Sequence, residues 1–351
     1  MGLGIKPTNF TSENKPSLLS SLVSAKKIPS LSYGYTAGAS YRLKSVPCSL
    51  TLGGYDTRRF VPHNISFLLD PDQRPVTSVN KISVSSSPSS GSGPDWPSGN
   101  YELLSASEAA LMTIDSSTPY LWLPESVCLK FEKALGIVYD NHLQLYVYPN
   151  GTANNLQNWN LTFTFALADY PQSPISKQVN ITLPLDAFNL QLSYPFPLLT
   201  NATNQSPLVN YFPLRKAANN TQYTLGRVFL QEAYLKLDYE RNNFSVYQAV
   251  FNADALSNLN IVSIPSNDTQ AGGSGHSGGS LGTGAIAGIA VGGAVLLLIA
   301  SVGIWLWLRP HPPSEESIST GGEEKKKKPR TSWIAGIINW KPQKGDGPAE
   351  L

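Results

Sequence analysis

The spacing of apolar side chains divides most of the chain into short strands. From 33 to 69 apolar and polar residues alternate around Gly53-Gly54, the period-two pattern of half-buried strands. Stretches 143–148, 161–167 and 179–183 read as further strands between polar loops. Runs at 225–230, 234–237 and 244–249 are expected to be the strands that close the domain. Residues 85–99 are rich in Ser, Gly and Pro and read as an exposed loop. Helical spacing occurs at 17–23, ending before Pro29. It recurs at Val127, Cys128, Phe131, Ala134 and Leu135. Pro124 suits that helix's first turn, where a missing N–H costs nothing, and Gly136 supplies a stop.

The pattern changes after 250. Residues 251–284 turn Asn/Ser/Thr-rich and then Gly/Ser-rich, which predicts a flexible stalk. Residues 285–308 carry no charge, are long enough for a membrane span of about 20 residues, and end in Trp305, Trp307 and Arg309. Lys325 to Lys328 and Arg330 follow, so the tail over 309–351 is expected in the cytosol. The resulting plan is a β domain over 1–250, a stalk over 251–284, a single transmembrane helix over 285–308 in contact with lipid, and a basic tail.

Composition narrows the classes. With 351 residues, 41% of them hydrophobic, the chain can bury a sizeable core, and a net charge of +2 argues against a nucleic-acid partner. The four histidines show no zinc spacing, and the two cysteines, Cys48 and Cys128, fit no metal-ligand pattern. In an oxidising compartment those two are expected to pair if their Cα atoms lie within roughly 7 Å. Asn-X-Ser/Thr sequons stand at Asn9, Asn64, Asn150, Asn160, Asn180, Asn201, Asn204, Asn219, Asn243 and Asn267, all before the apolar run and none after it. That one-sidedness predicts a glycoprotein domain facing the secretory lumen or the cell exterior.

The candidate chemistry lies at Asp115. A short apolar strand runs into Asp115-Ser116-Ser117-Thr118, and a second apolar run and the helix follow. A carboxylate ringed by short donors is readily kept ionised, because hydrogen bonds favour its charged form. The plain alternative is an Asx or Ser/Thr turn joining strand to helix.

Asp115-Ser116-Ser117-Thr118 resembles the second active-site motif of pepsin-like aspartic peptidases, of the form Asp-Thr/Ser-Gly/Ser-Thr/Ser. Three further segments agree in order. Ser49-Leu50-Thr51-Leu52-Gly53-Gly54-Tyr55-Asp56 is similar to that family's "G-x-L-x-L-G-G-x-D" strand. Leu225-Gly226-Arg227-Val228-Phe229-Leu230 is similar to its "L-G-D-x-F-L" crossing, and 233–240 to the strand after it. Tyr33-Gly34-Tyr35-Thr36-Ala37-Gly38 resembles a filamentous-fungal branch. The resemblance implies a mostly β fold, the C-terminal lobe of the bilobal pepsin-like acid protease, acting on peptide or protein substrates without a metal or organic cofactor. It makes Asp115 the catalytic carboxylate, supported by Ser116, Ser117 and Thr118, with Ser116 or Thr118 orienting it.

In this family two aspartates share one proton, so that one acts as base while the other acts as acid. Only Asp115 here has the required context, since Asp56 is followed by Thr57-Arg58. Ser117 stands where Gly is commoner, and Arg227 where the family has Asp, a change expected at the surface away from catalysis. Residues 1–30 show no signal-peptide pattern, and Met1-Gly2-Leu3-Gly4 resembles a strand that follows the first lobe. The expectation is therefore a membrane-anchored aspartic-type endopeptidase-like chain whose Met1 is an internal start, inactive as it stands because the first lobe and its Asp are missing. Two alternatives stay open: a non-catalytic peptidase-like surface glycoprotein for adhesion or wall sensing, and a homodimer that pairs two copies of Asp115.

Overall fold

The computed structural model describes residues 3–10, 13–43, 45–88, 93–149, 151–192 and 209–267. Its main body is an eight-stranded sheet. The order runs Val179–Pro184, Thr162–Ala168, Val76–Ser85, Ala110–Ile114, Thr224–Leu225, Leu121–Leu123 and Leu214–Lys216. Asn100–Leu104 pairs with the far end of Val76–Ser85. Alternation sets the faces, with a bulge between Val79 and Lys81 that shifts the register by one: Phe163, Phe165, Ile181, Leu183, Val79 and Val84 are all fully buried. Burying each such side chain is worth about 1.5–3 kcal/mol. Most pairings are antiparallel, but Thr224–Leu225 runs parallel to Ala110–Ile114, and Leu121–Leu123 parallel to Leu214–Lys216. These two short parallel pairings flank the turn at Asp115.

The helix Glu125–Leu135 closes one side of the core. Val127, Cys128, Phe131, Ala134 and Leu135 are buried as their spacing predicts, and Gly136 ends the helix at φ 65°. Phe131 packs on Phe163 and Phe212, and Phe212 in turn stacks on Phe188 at 4.7 Å between ring centroids. The first helix is Leu18–Ser24, with Ser17 accepting from Ser20 N at its start. A five-stranded sheet, ordered Ser49–Leu52, Ser32–Thr36, Ala233–Asp238, Asn243–Gln248 and Phe67–Leu68, holds the segments at both ends of the lobe together. A four-stranded sheet joins Val138–Asp140, Leu145–Val147, Val209–Phe212 and Leu190–Leu192.

The structure departs from the sequence-based expectations in three places. Residues 225–230 are not one strand: Thr224–Leu225 pairs in the sheet and Arg227–Leu230 is a single helical turn. Gly226 forces the change, since a Cβ there would lie 2.2 Å from Tyr120 O, so the chain must bend beneath that carbonyl. Residues 251–267 do not leave the lobe as a stalk, and the rest of the expected stalk, 268–284, lies outside the described residues. Asn252 caps the helix Ala253–Ser257, and Ile261–Ser263 pairs antiparallel with Gly54–Asp56. Finally, Cys48 and Cys128 do not pair: Cys48 is exposed, whereas Cys128 is buried with Sγ 3.7 Å from Leu123 O and Arg215 O. Burial pushes the Cys128 thiol up to about 12, so it stays protonated.

The proposed span at 285–308 and the tail at 309–351 lie outside the described residues. Among the described residues, no helix is long and apolar enough to cross a membrane.

Candidate active site

Asp115 follows directly on the strand Ala110–Ile114, and its N–H donates to Leu225 O at 3.1 Å. The chain then turns sharply. Ser117 N donates to Asp115 Oδ1 at 2.8 Å and Ser117 Oγ to Oδ2 at 2.7 Å, so a single residue grips both carboxylate oxygens. Of the three supporting residues expected, only Ser117 reaches the carboxylate. Ser116 contributes its carbonyl to another partner, and Thr118 Oγ1 accepts from Trp122 Nε1 at 3.1 Å and Tyr120 N at 3.4 Å. Thr118 therefore ties the turn to the strand Leu121–Leu123 and does not orient Asp115. The Ser at 117, in place of the commoner Gly, supplies the hydroxyl that holds Oδ2.

The carboxylate lies in an open cleft of about 930 Å³. Tyr33, Tyr35, Leu50, Leu230 and Leu235 form its apolar wall. Burial first, and then Tyr239, push the Tyr33 phenol well above its ordinary value, with the charge of Asp115 a smaller contribution. Tyr33 thus stays a neutral phenol within electrostatic reach of the carboxylate. At the other end Lys6 Nζ pairs with Asp72 at 2.7 Å, and Arg74 pairs with Asp70 at 2.7 Å and Asp72 at 3.6 Å. The Lys6 ammonium, by hydrogen bond and charge, holds Asp72 below the usual carboxylate range. Among the described residues Asp72 is the only other acid lining the cleft, and its cations already engage it. Among the described residues, Asp115 makes no hydrogen bond to a second carboxylate.

Arg227 corrects an expectation. It is exposed, but it lines the cleft beside Asp115, and its Nη1 donates to Ser116 O at 3.0 Å and Ser117 O at 3.3 Å. Sequence reasoning missed this role because the contact spans 111 residues. The signal available was an Arg directly after a Gly in a segment similar to the family's crossing.

The lobe therefore presents a hydroxyl-held aspartate after a central strand, lining an open cleft. The sequence profile of the family described as eukaryotic aspartyl protease matches residues 1–249, and the chain belongs to that family. Among solved structures the chain resembles an aspartic proteinase from Irpex lacteus. The two are 17% identical with a TM-score of 0.44, over 70% of this chain and 64% of that one. The chain thus covers less than two thirds of that protein's length. No curated protein matches.

Proposed function

We propose that the chain supplies one carboxylate, Asp115, and one wall of the cleft of an aspartic-type endopeptidase that cuts extended peptide segments. The observation that carries this reading is the grip of Ser117 on both oxygens of Asp115 at the cleft floor. A second carboxylate is needed for paired acid–base action on a bound water, and Asp72 is committed to Lys6 and Arg74. We therefore propose that residues 1–351 alone are catalytically silent, and that activity requires a further lobe bearing its own aspartate. The experiment is cleavage of denatured protein at pH 3 to 6. The chain alone should give none, an added first lobe should restore cleavage, and Asp115→Ala should abolish it. Turnover by the chain alone that rises with the square of its concentration, and is lost in Asp115→Ala, would favour a homodimer. A first lobe that restores nothing would favour the non-catalytic surface glycoprotein.

The same proposal places the domain on the luminal or outer side of a membrane, held by residues 285–308 with the basic tail in the cytosol. Its support is the one-sided sequon pattern, together with the exposure of Asn9, Asn64, Asn160, Asn180 and Asn219 on the lobe surface. Protease protection in sealed microsomes tests it: the tail should be digested without detergent, and a protected tail would reverse the topology.

A further inference from the structure

Four consecutive carbonyl groups follow Asp115, and two residues from the distant 226–230 segment occupy all of them. Arg227 Nη1 donates to Ser116 O and Ser117 O, Arg227 N donates to Thr118 O at 2.8 Å, and Val228 N donates to Pro119 O at 3.2 Å. The first of these contacts matters most. Ser116 O and Ser117 N belong to one peptide group, which is planar and in its trans form directs C=O and N–H to opposite sides. Arg227 holds the oxygen end of that group at 3.0 Å, while Asp115 Oδ1 accepts from its N–H at 2.8 Å. A cation on the oxygen also polarises the group, which makes its N–H the better donor to the carboxylate. Arg227 is exposed, so core packing does not explain its presence, and it forms no ion pair among the described residues.

We propose that Arg227 is a positioning residue for Asp115. Its guanidinium fixes the Ser116–Ser117 peptide group so that the Ser117 N–H faces the carboxylate. The backbone N–H groups of residues 227 and 228 hold only Thr118 O and Pro119 O, so among the described residues the guanidinium is the contact that the 226–230 segment makes with the Ser116–Ser117 peptide group. The proposal takes its purpose from the peptidase reading of Asp115, but the grip is measurable without turnover.

The test is amide hydrogen exchange across the full chain in wild type, Arg227→Gln, Arg227→Lys, Asp115→Ala and the Arg227→Gln/Asp115→Ala double variant. Losing the grip should speed exchange over residues 115–119 about fivefold in Arg227→Gln, roughly the net worth of one hydrogen bond. The thermal midpoint should not move, and Arg227→Lys, with a single ammonium still in reach, should recover part of the protection. Once the carboxylate acceptor is gone, removing the guanidinium should add little, so the double variant should match Asp115→Ala alone. Additive effects of the two changes would overturn the proposal, because they would mean that Arg227 acts on the turn independently of the carboxylate. Unchanged exchange in Arg227→Gln, or acceleration spread over the whole lobe, would overturn it as well. A proteolysis result that removed the peptidase reading would leave a coupled cycle standing as support for the grip.

Discussion

Asp56 and Asp115 begin from the same local geometry. Each ends a strand, and each accepts through Oδ1 from the backbone N–H two residues on, at 3.1 Å from Arg58 and 2.8 Å from Ser117. Their surroundings then separate them. Asp56 is 1% exposed, and its Oδ1 also accepts from Asn260 N at 3.0 Å, so the carboxylate stitches the C-terminal segment onto the lobe. Its Oδ2 lies 3.4 Å from Arg59 Nε, an ion pair too poorly aligned to count as a hydrogen bond. Asp115 is half-buried, both its oxygens are held from within its own turn, and its remaining lone pairs face the cleft. The Asx turn by itself therefore says nothing of chemistry. A carboxylate becomes available to a substrate when its own turn satisfies it and nothing else in the chain covers it.

The sharpest way to break this contrast is to delete each carboxylate. Asp56→Ala leaves Arg59 largely buried without its counter-charge and removes the acceptor for Asn260, so it should cost about 3 kcal/mol in urea unfolding. Asp115→Ala removes bonds confined to an exposed turn and should stay within about 1 kcal/mol. Equal losses would mean that Asp115 is structural too.

The glycines beside the two turns come next. A Cβ at Gly54 would lie 2.4 Å from Val262 O, and one at Gly226 2.2 Å from Tyr120 O. Each Gly→Ala change should cost about 1–3 kcal/mol from overpacking against backbone. The damage should fall in different places: limited proteolysis should cut within 252–264 for Gly54→Ala, and amide hydrogen exchange should speed up around 115–120 for Gly226→Ala.

The smallest effects lie in the pH dependence of two other acids. Lys130 and Ser105 hold Glu108 down at about 2. A depressed folded value favours the folded state above the ordinary carboxylate range, and that contribution fades as pH falls toward 2. Glu232 is the reverse: burial raises it against the pull of Tyr41 and Arg42. The folded lobe holds that proton more tightly than the unfolded chain does, so its contribution is present at low pH and is lost as pH rises through the raised value. Thermal midpoints from pH 2 to 7 should lose part of their acid-side fall in Glu108→Gln, and part of their decline above the usual carboxylate range in Glu232→Gln. The same pH profile in either variant as in wild type would remove the corresponding assignment.

Local information was enough wherever neighbours in sequence settle the structure. The helix after the site was readable because its apolar positions and Gly136 lie within a dozen residues. The turn at Asp115 was readable only in part: its bonds come from within the motif, two positions away, but from Ser117 where Ser116 or Thr118 was expected. The bend at Gly226 was not readable, because Leu-Gly-Arg-Val-Phe-Leu has strand composition, and only the distant Tyr120 carbonyl excludes a straight path. Residues 253–263 were hidden for a similar reason. Their polar composition suits a linker, and the strand there is drawn out by the free edge at Gly54–Asp56. Arg227 looked like a surface substitution because its partners are carbonyl oxygens, which leave no mark in side-chain composition.

The stitched C-terminal segment also has a mechanical consequence. Asn267, Pro265 and Ile264 are fastened in succession, by Glu240, by Arg241 at 3.0 Å and by Ser30 at 2.5 Å, before the Ile261–Ser263 pairing begins. Asn260 and Asp56 come next, and Asp254 with Arg58 after them. Tension applied to the chain beyond 267 would meet these fastenings one after another, as in peeling tape, and never all at once. Peeling fails at low force, so the segment would come away from Gly54–Asp56 long before the eight-stranded sheet felt any strain. A pull on the C-terminal side would free about a dozen residues and leave the cleft at Asp115 intact.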